Sequence, residues 1–251
     1  AKKTRYLLPN ILTLAGVCLG ISSIKFSIDG NFSLAVTLIL FAVILDALDG
    51  RIARLIKGTS EFGKELDSLT DFVSFGIAPA FILYFWELNN YGKLGWAITL
   101  IYSVCCVLRL ARFNLTKIEE NADWKNNFFE GIPSPAGGLL VLMPLIYELT
   151  NLNFGIQIKQ LTPYLTVLVA ILLVSKIPTL ALKKITISPR ATVFLLLGAG
   201  IVFIALLFYT LEALLVFGVS YLISIPVSVI IYRKHNKKNE KISDDNHEDI
   251  L

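Results

Sequence analysis

Two pairs of aspartates interrupt an otherwise apolar stretch of the chain: Asp46 with Asp49, three residues apart, and Asp67 with Asp71, four apart. On helices each pair shares a face. Four carboxylates with no His or Cys among them form a hard oxygen donor set, which suits Mg²⁺ or Mn²⁺ and disfavours zinc. Two such ions can neutralise a pyrophosphate and the charge that develops during a phosphoryl-type transfer. The plainer reading pairs these acids with Arg51, Arg54, Lys57 and Lys64 near a membrane border. Acids this close repel one another and require a compensating cation or a proton. Gly50 and Ala53 adjoin the face of the first pair. Small residues there serve either helix packing or the close approach of a ligand. Four acids on two adjacent helices, with a glycine in register, favour a site.

The elements that must position them lie in a membrane. Of 251 residues 55% are apolar and 17% charged, too little charge for the surface of a soluble domain. Mean hydropathy is +0.68. The apolar runs are long enough to cross a ~30 Å hydrocarbon core as helices. Eight candidate spans cover residues 11–28, 32–56, 66–86, 94–115, 136–152, 161–182, 192–209 and 211–232. The first is read as a membrane helix or signal anchor, since no small-residue cleavage site follows it. A charge at bilayer depth costs at least ~2.5 kcal/mol, so the aspartates require a reason to be there. Cys18, Cys105 and Cys106 all lie in apolar runs, which argues against a disulfide framework.

Alternating the spans sorts the loops by charge. One side collects Lys2, Lys3, Arg5, Arg51, Arg54, Lys57, Lys64, Arg112, Lys117, Lys125, Lys183, Lys184, Arg190 and the basic cluster at 233–241. The other keeps Lys25, Lys93 and Lys159. The positive-inside rule places both termini in the cytoplasm. The net charge of +4, distributed in this way, points to anionic lipid and not to nucleic acid. The expected organisation is a catalytic membrane core over residues 1–182, a further hairpin over 183–232, and a charged tail from 233 that should be disordered.

As a pattern, the acidic region reads Asp46-x2-Asp49-Gly50-x2-Ala53-Arg54-x8-Gly63-x3-Asp67-x3-Asp71. This resembles the signature of the CDP-alcohol phosphotransferase family, with every position filled. The resemblance implies an all-α integral membrane fold with a six-helix core, usually dimeric and open to the cytoplasm. It implies two divalent metals and a CDP-linked lipid donor, CDP-diacylglycerol. It makes Asp46, Asp49 and Asp67 metal ligands, and Asp71 both a ligand and the general base. It assigns Gly50, Arg54, Ser60 and Gly63 to the nucleotide side of the site, with Asn10 and Thr13 of the opening Pro9-Asn10-Ile11-Leu12-Thr13 segment nearby. Asn10 reads equally well as a helix cap.

The signature is shared by enzymes with different acceptor alcohols. Downstream, Arg109-x-x-Arg112-Phe113-Asn114 followed by Gly131-Ile132-Pro133-Ser134-Pro135-Ala136 resembles the phosphatidylserine synthases of that family, so the resemblance implies L-serine. Arg112 and Asn114, with Arg109, are the candidates for its polar groups; the arginines also read as ordinary interfacial anchors. Pro133-Ser134-Pro135 has a bland reading as a chain break before the next helix. Glycerol 3-phosphate or inositol phosphate is the alternative acceptor, though a phosphate would favour a denser basic pocket. A transporter with relaying acids is the rival class, but it predicts acids spread along a path.

Overall fold

The computed structural model describes residues 7–56, 60–115, 128–150, 157–180 and 189–248. Lys2, Lys3, Arg5, Lys57, Lys117, Lys125, Lys183 and Lys184 of the charge pattern lie outside them. The fold is all-α apart from one short ribbon. Helices α1 (Leu7–Ile28) and α2 (Phe32–Leu55) form an antiparallel pair, joined through Gly30 at φ 79°. Asn31 caps α2, its side chain accepting from the Leu34 N–H. Next come α3 (Glu61–Asp71), a π-helical turn (Phe72–Ile77) and α4 (Ala78–Trp86), which follow without a break. A 3₁₀ turn (Leu88–Tyr91) leads into α5 (Lys93–Leu115). Then follow α6 (Ser134–Val141), α7 (Met143–Leu149), α8 (Ile158–Val174), α9 (Pro189–Phe208) and α10 (Thr210–Glu248). Strands β1 (Phe128–Glu130) and β2 (Pro178–Leu180) pair antiparallel, Phe129 opposite Thr179.

Among the described residues, five helical stretches are long and apolar enough to cross a membrane: Leu7–Ile28, Phe32–Leu55, Glu61–Trp86, Lys93–Leu115 and Thr210–Arg233. The expected span at 136–152 divides at Leu142, one residue before Met143-Pro144, because proline has no N–H to continue a helix. The expected span at 161–182 ends at Val174, and Pro178 opens β2 instead. The charged tail, expected to be disordered, continues α10 as helix to Glu248. Its Lys and Glu content is compatible with helix.

The exterior of the bundle is apolar, as lipid contact demands. On α1, Leu7, Ile11, Leu14, Ile21 and Ile28 are exposed, while the inward stripe is Pro9, Thr13, Gly16, Gly20, Ser23 and Ser27. Residues of that size, spaced four and three apart, let backbones approach closely. The stripe meets the α3–α4 segment: the Ser74 hydroxyl donates to Gly16 O at 3.0 Å. A Cβ on Gly20 would stand 2.9 Å from Ser74 Cα.

The π-turn beginning at Phe72 has an identifiable cause. Pro79 has no N–H for Phe75 O, and the Ala78 N–H bonds Val73 O instead. The freed Phe75 carbonyl accepts from the buried Tyr102 hydroxyl of α5 at 2.8 Å. One irregular turn therefore ties α3 to α5 directly after Asp71. Enlarging Gly20 to Leu forces α1 off Ser74 and should destabilise the bundle by about 1–3 kcal/mol. Thermal unfolding in detergent checks this, with Gly200→Leu, which meets nothing within 4 Å, expected to melt like the unsubstituted chain.

Candidate active site

Asp46 and Asp49 project from the last turns of α2 and Asp67 from α3. One carboxylate oxygen from each lies within 4.8 Å of the others. Asp49 is buried and Asp46 and Asp67 are half-buried. Three acids this close in an apolar bundle repel strongly. Their mutual spacing and all-oxygen chemistry fit a divalent cation.

Neighbouring elements hold the acids in place. The buried Thr13 hydroxyl of α1 donates to Asp49 Oδ2 at 2.7 Å. Asp71, one helical turn beyond Asp67, lies beside Asp46. Its Oδ2 accepts from the Ser134 hydroxyl at 2.7 Å, and Ser134 Oγ accepts from Arg109 Nη1 at 2.7 Å. Asp71 Oδ1 is buried and has no hydrogen-bond partner, and the same holds for Arg109 Nε. A buried polar atom without a partner is costly unless a ligand completes it. With the Asp46 carboxyl alongside, Oδ1 is an acceptor that a shared proton, a donor or a cation can complete.

The nucleotide-side candidates fall in two groups, Gly50 with Arg54 and Ser60 with Gly63 and Asn10. A Cβ on Gly50 would meet nothing within 4 Å, so the α2 backbone there is open to a ligand. Arg54 is exposed, its Nε donating to Gly50 O at 3.0 Å. Ser60 caps α3 by accepting from the Gly63 N–H at 3.0 Å. A Cβ on Gly63 would come within 3.4 Å of Asn10 Oδ1 and 3.1 Å of Ser60 Oγ, so Asn10 and Ser60 both lie against that face of the glycine. The helix-cap reading of Asn10 does not hold: Asn10 lies within α1, which is helical from Leu7.

The acceptor-side candidates separate. Arg109 is in the acidic centre through Ser134, and its guanidinium lies 5.7 Å from the Phe113 ring centroid. Arg112 Nη1 donates to Val174 O at the C-terminus of α8, at 2.7 Å, a position that favours a cation. Asn114 Nδ2 donates to Ser68 Oγ at 3.0 Å and ties the end of α5 to α3. Ser134, read from sequence as part of a chain break, proves to be the link between Arg109 and Asp71. Its signal was a lone hydroxyl between two prolines, at a helix start in an apolar run.

The family model described as CDP-alcohol phosphatidyltransferase matches residues 6–230. A Mycobacterium leprae protein named CDP-diacylglycerol--serine O-phosphatidyltransferase is 39% identical over 193 residues, 75% of this chain and 63% of its own length. The chain thus spans less than two thirds of that relative. A Helicobacter pylori protein of the same name is 36% identical over 218 residues, 87% of this chain and 89% of its own. One from Mycobacterium tuberculosis is 34% identical over 227 residues, 89% of this chain and 78% of its own.

Because Thr13 orients Asp49 from the neighbouring helix, Thr13→Val should weaken Mn²⁺ binding by about tenfold or more, the usual effect of losing a group that orients a metal ligand. Calorimetric titration of the purified protein with Mn²⁺ checks this without any turnover.

Proposed function

The chain belongs to the CDP-alcohol phosphatidyltransferase family, and from that premise we propose that it transfers the phosphatidyl group of CDP-diacylglycerol to the hydroxyl of L-serine. The products are phosphatidylserine and CMP. The observation that carries the reading is the cluster of Asp46, Asp49 and Asp67 with the partnerless Asp71 Oδ1 beside it. The choice of serine draws its support from the relatives' names.

Asp46, Asp49 and Asp67 would hold divalent metal, Mg²⁺ or Mn²⁺, with Asp71 contributing to a second ion. When bound, the metal supplies positive charge to the pyrophosphate and to the leaving CMP. The other steps belong to the chain's own residues. Gly50 leaves room for the cytidine diphosphate against α2, and Arg54 supplies a guanidinium to its phosphates. Asn10, Thr13, Ser60 and Gly63 line the approach to it. Asp71 Oδ1 takes the proton of the serine hydroxyl, whose ordinary pKa lies far too high for unaided attack. The serine oxygen forms a bond to the lipid-bearing phosphorus while the bond from that phosphorus to CMP breaks. The proton on Asp71 then passes to water. Arg109, Arg112 and Asn114 stand on the acceptor side. Arg109 is nearest the acids, and its unpartnered Nε suits the serine carboxylate.

The chain is an integral membrane protein. We place the site at the cytoplasmic face, because the acids share one end of α2 and α3 with Arg51, Arg54 and Lys64. The opposite side carries fewer basic residues, Lys25, Lys93 and Lys159, and the side richer in Lys and Arg is the cytoplasmic one. A homodimer in the membrane belongs to the same reading and draws on the family alone. The clustering of the acids on two helices speaks against a transport path.

CMP release from CDP-diacylglycerol tests the proposal. It should require both L-serine and Mg²⁺ or Mn²⁺, and Asp71→Asn should lower it by about 10²–10⁴-fold, the usual contribution of a general base. Serine-independent release, or retained activity in Asp71→Asn, would contradict it.

A further inference from the structure

The acidic centre has a support on a different part of the chain from the signature itself. Ser134 is fully buried and begins α6 between Pro133 and Pro135. Proline on both sides restricts the backbone around it. The helix it begins is seated without slack: a Cβ on Gly137 would stand 2.7 Å from Leu173 Cδ2, and one on Gly138 would stand 3.1 Å from Phe75 Cβ. Phe75 lies in the π-turn that directly follows Asp71. The Ser134 hydroxyl has one proton, and it donates that proton to Asp71 Oδ2. Arg109 fills an acceptor position on the same oxygen and fixes the rotor. With Oδ2 engaged, Oδ1 is the carboxylate atom left without a partner.

We infer that Ser134 is a positioning residue for Asp71. Held by Arg109, it engages Oδ2 and leaves Oδ1 as the atom that meets the acceptor hydroxyl. The inference rests on the reading of Asp71 as the base. It predicts a defect in the chemical step and not in substrate binding, since Ser134 acts through Asp71. Removing the hydroxyl frees Asp71 to rotate, leaves Arg109 Nη1 without its acceptor and deletes no more than one atom of packing.

The test compares Ser134→Ala and Ser134→Thr with the unsubstituted chain by steady-state CMP release, thermal unfolding and structure determination. Ser134→Ala should stay folded, melting somewhat earlier because Asp71 Oδ2 and Arg109 Nη1 each lose a buried partner, and should lose about 10–100-fold in kcat, the range typical of such supporting groups. Its KM for CDP-diacylglycerol should be unchanged, the loss should fall mainly on kcat, and Ser134→Thr should recover the rate. In the Ser134→Ala structure the Asp71 carboxylate should leave its original rotamer. Unchanged kcat, a loss carried by KM alone, or an unmoved Asp71 overturns the inference. If the threonine variant melts early, the kcat-against-KM split and the Asp71 rotamer of the alanine variant decide. An unsubstituted chain that ignores serine would defeat the acceptor assignment instead. The variants are then compared on whichever acceptor supports release, and the Asp71 rotamer reads out independently of turnover.

Discussion

Carboxylate oxygens of three aspartates meet within 4.8 Å on the inner side of a bundle whose outer surface is apolar. Each acid alone would be expensive at that depth, and together they repel. The bundle meets this by giving the acids rigid mounts and polar company. Asp46 and Asp49 are on the C-terminal turns of one helix, and Asp67 and Asp71 are one turn apart on the next. Thr13 of α1 donates to Asp49, and Ser134 of α6, itself held by a bond from Arg109 of α5, donates to Asp71. What the protein leaves uncompensated, above all Asp71 Oδ1, is what a cation and a substrate hydroxyl can complete.

The rest of the fold follows from keeping those mounts close. Small residues on α1 allow the α3–α4 segment to lie against it, with Gly16 and Gly20 against Thr70 and Ser74. The π-turn after Asp71 makes a local departure from α-helical pairing, and Tyr102 satisfies the carbonyl that Pro79 leaves free. Gly138 on α6 then abuts Phe75 of that same turn. Packing contacts and the hydrogen bonds around the acids are therefore one network, with Ser134 a few residues from the glycines that seat its helix. The helices are held together mostly by close backbone approach and buried hydroxyls, as expected where lipid is as apolar as the side chains.

Much of this was legible from residue types and spacing. Asp46, Asp49, Asp67 and Asp71 announce a site because an acid in a membrane run is costly, and the three-and-four spacing puts each pair on one helical face. The open backbone at Gly50 was foreshadowed by its place in that register. Ser134 was not legible as a contact, because its partner lies 63 residues away and a hydroxyl between prolines looks like any chain break. Pattern favoured Arg112 over Arg109 for the acceptor, but both sit near one helix end and nothing in their spacing shows which one reaches the acids. Only tertiary packing sends one to Ser134 and the other to Val174 O. The division at Leu142 and the early stop at Val174 show proline chemistry overriding hydropathy, which counts apolar residues without asking whether their N–H groups can bond.

Metal-dependent transfer of phosphatidyl to serine is read out in the identity of the lipid product. Purified protein would be given CDP-diacylglycerol and Mg²⁺ or Mn²⁺. L-serine, glycerol 3-phosphate and inositol phosphate would be present in competition, and the lipids read by mass spectrometry. Phosphatidylserine should form, with CMP in equal amount, if serine is the acceptor. A lipid carrying glycerol phosphate or inositol phosphate with no phosphatidylserine, or no new lipid at all, would contradict it.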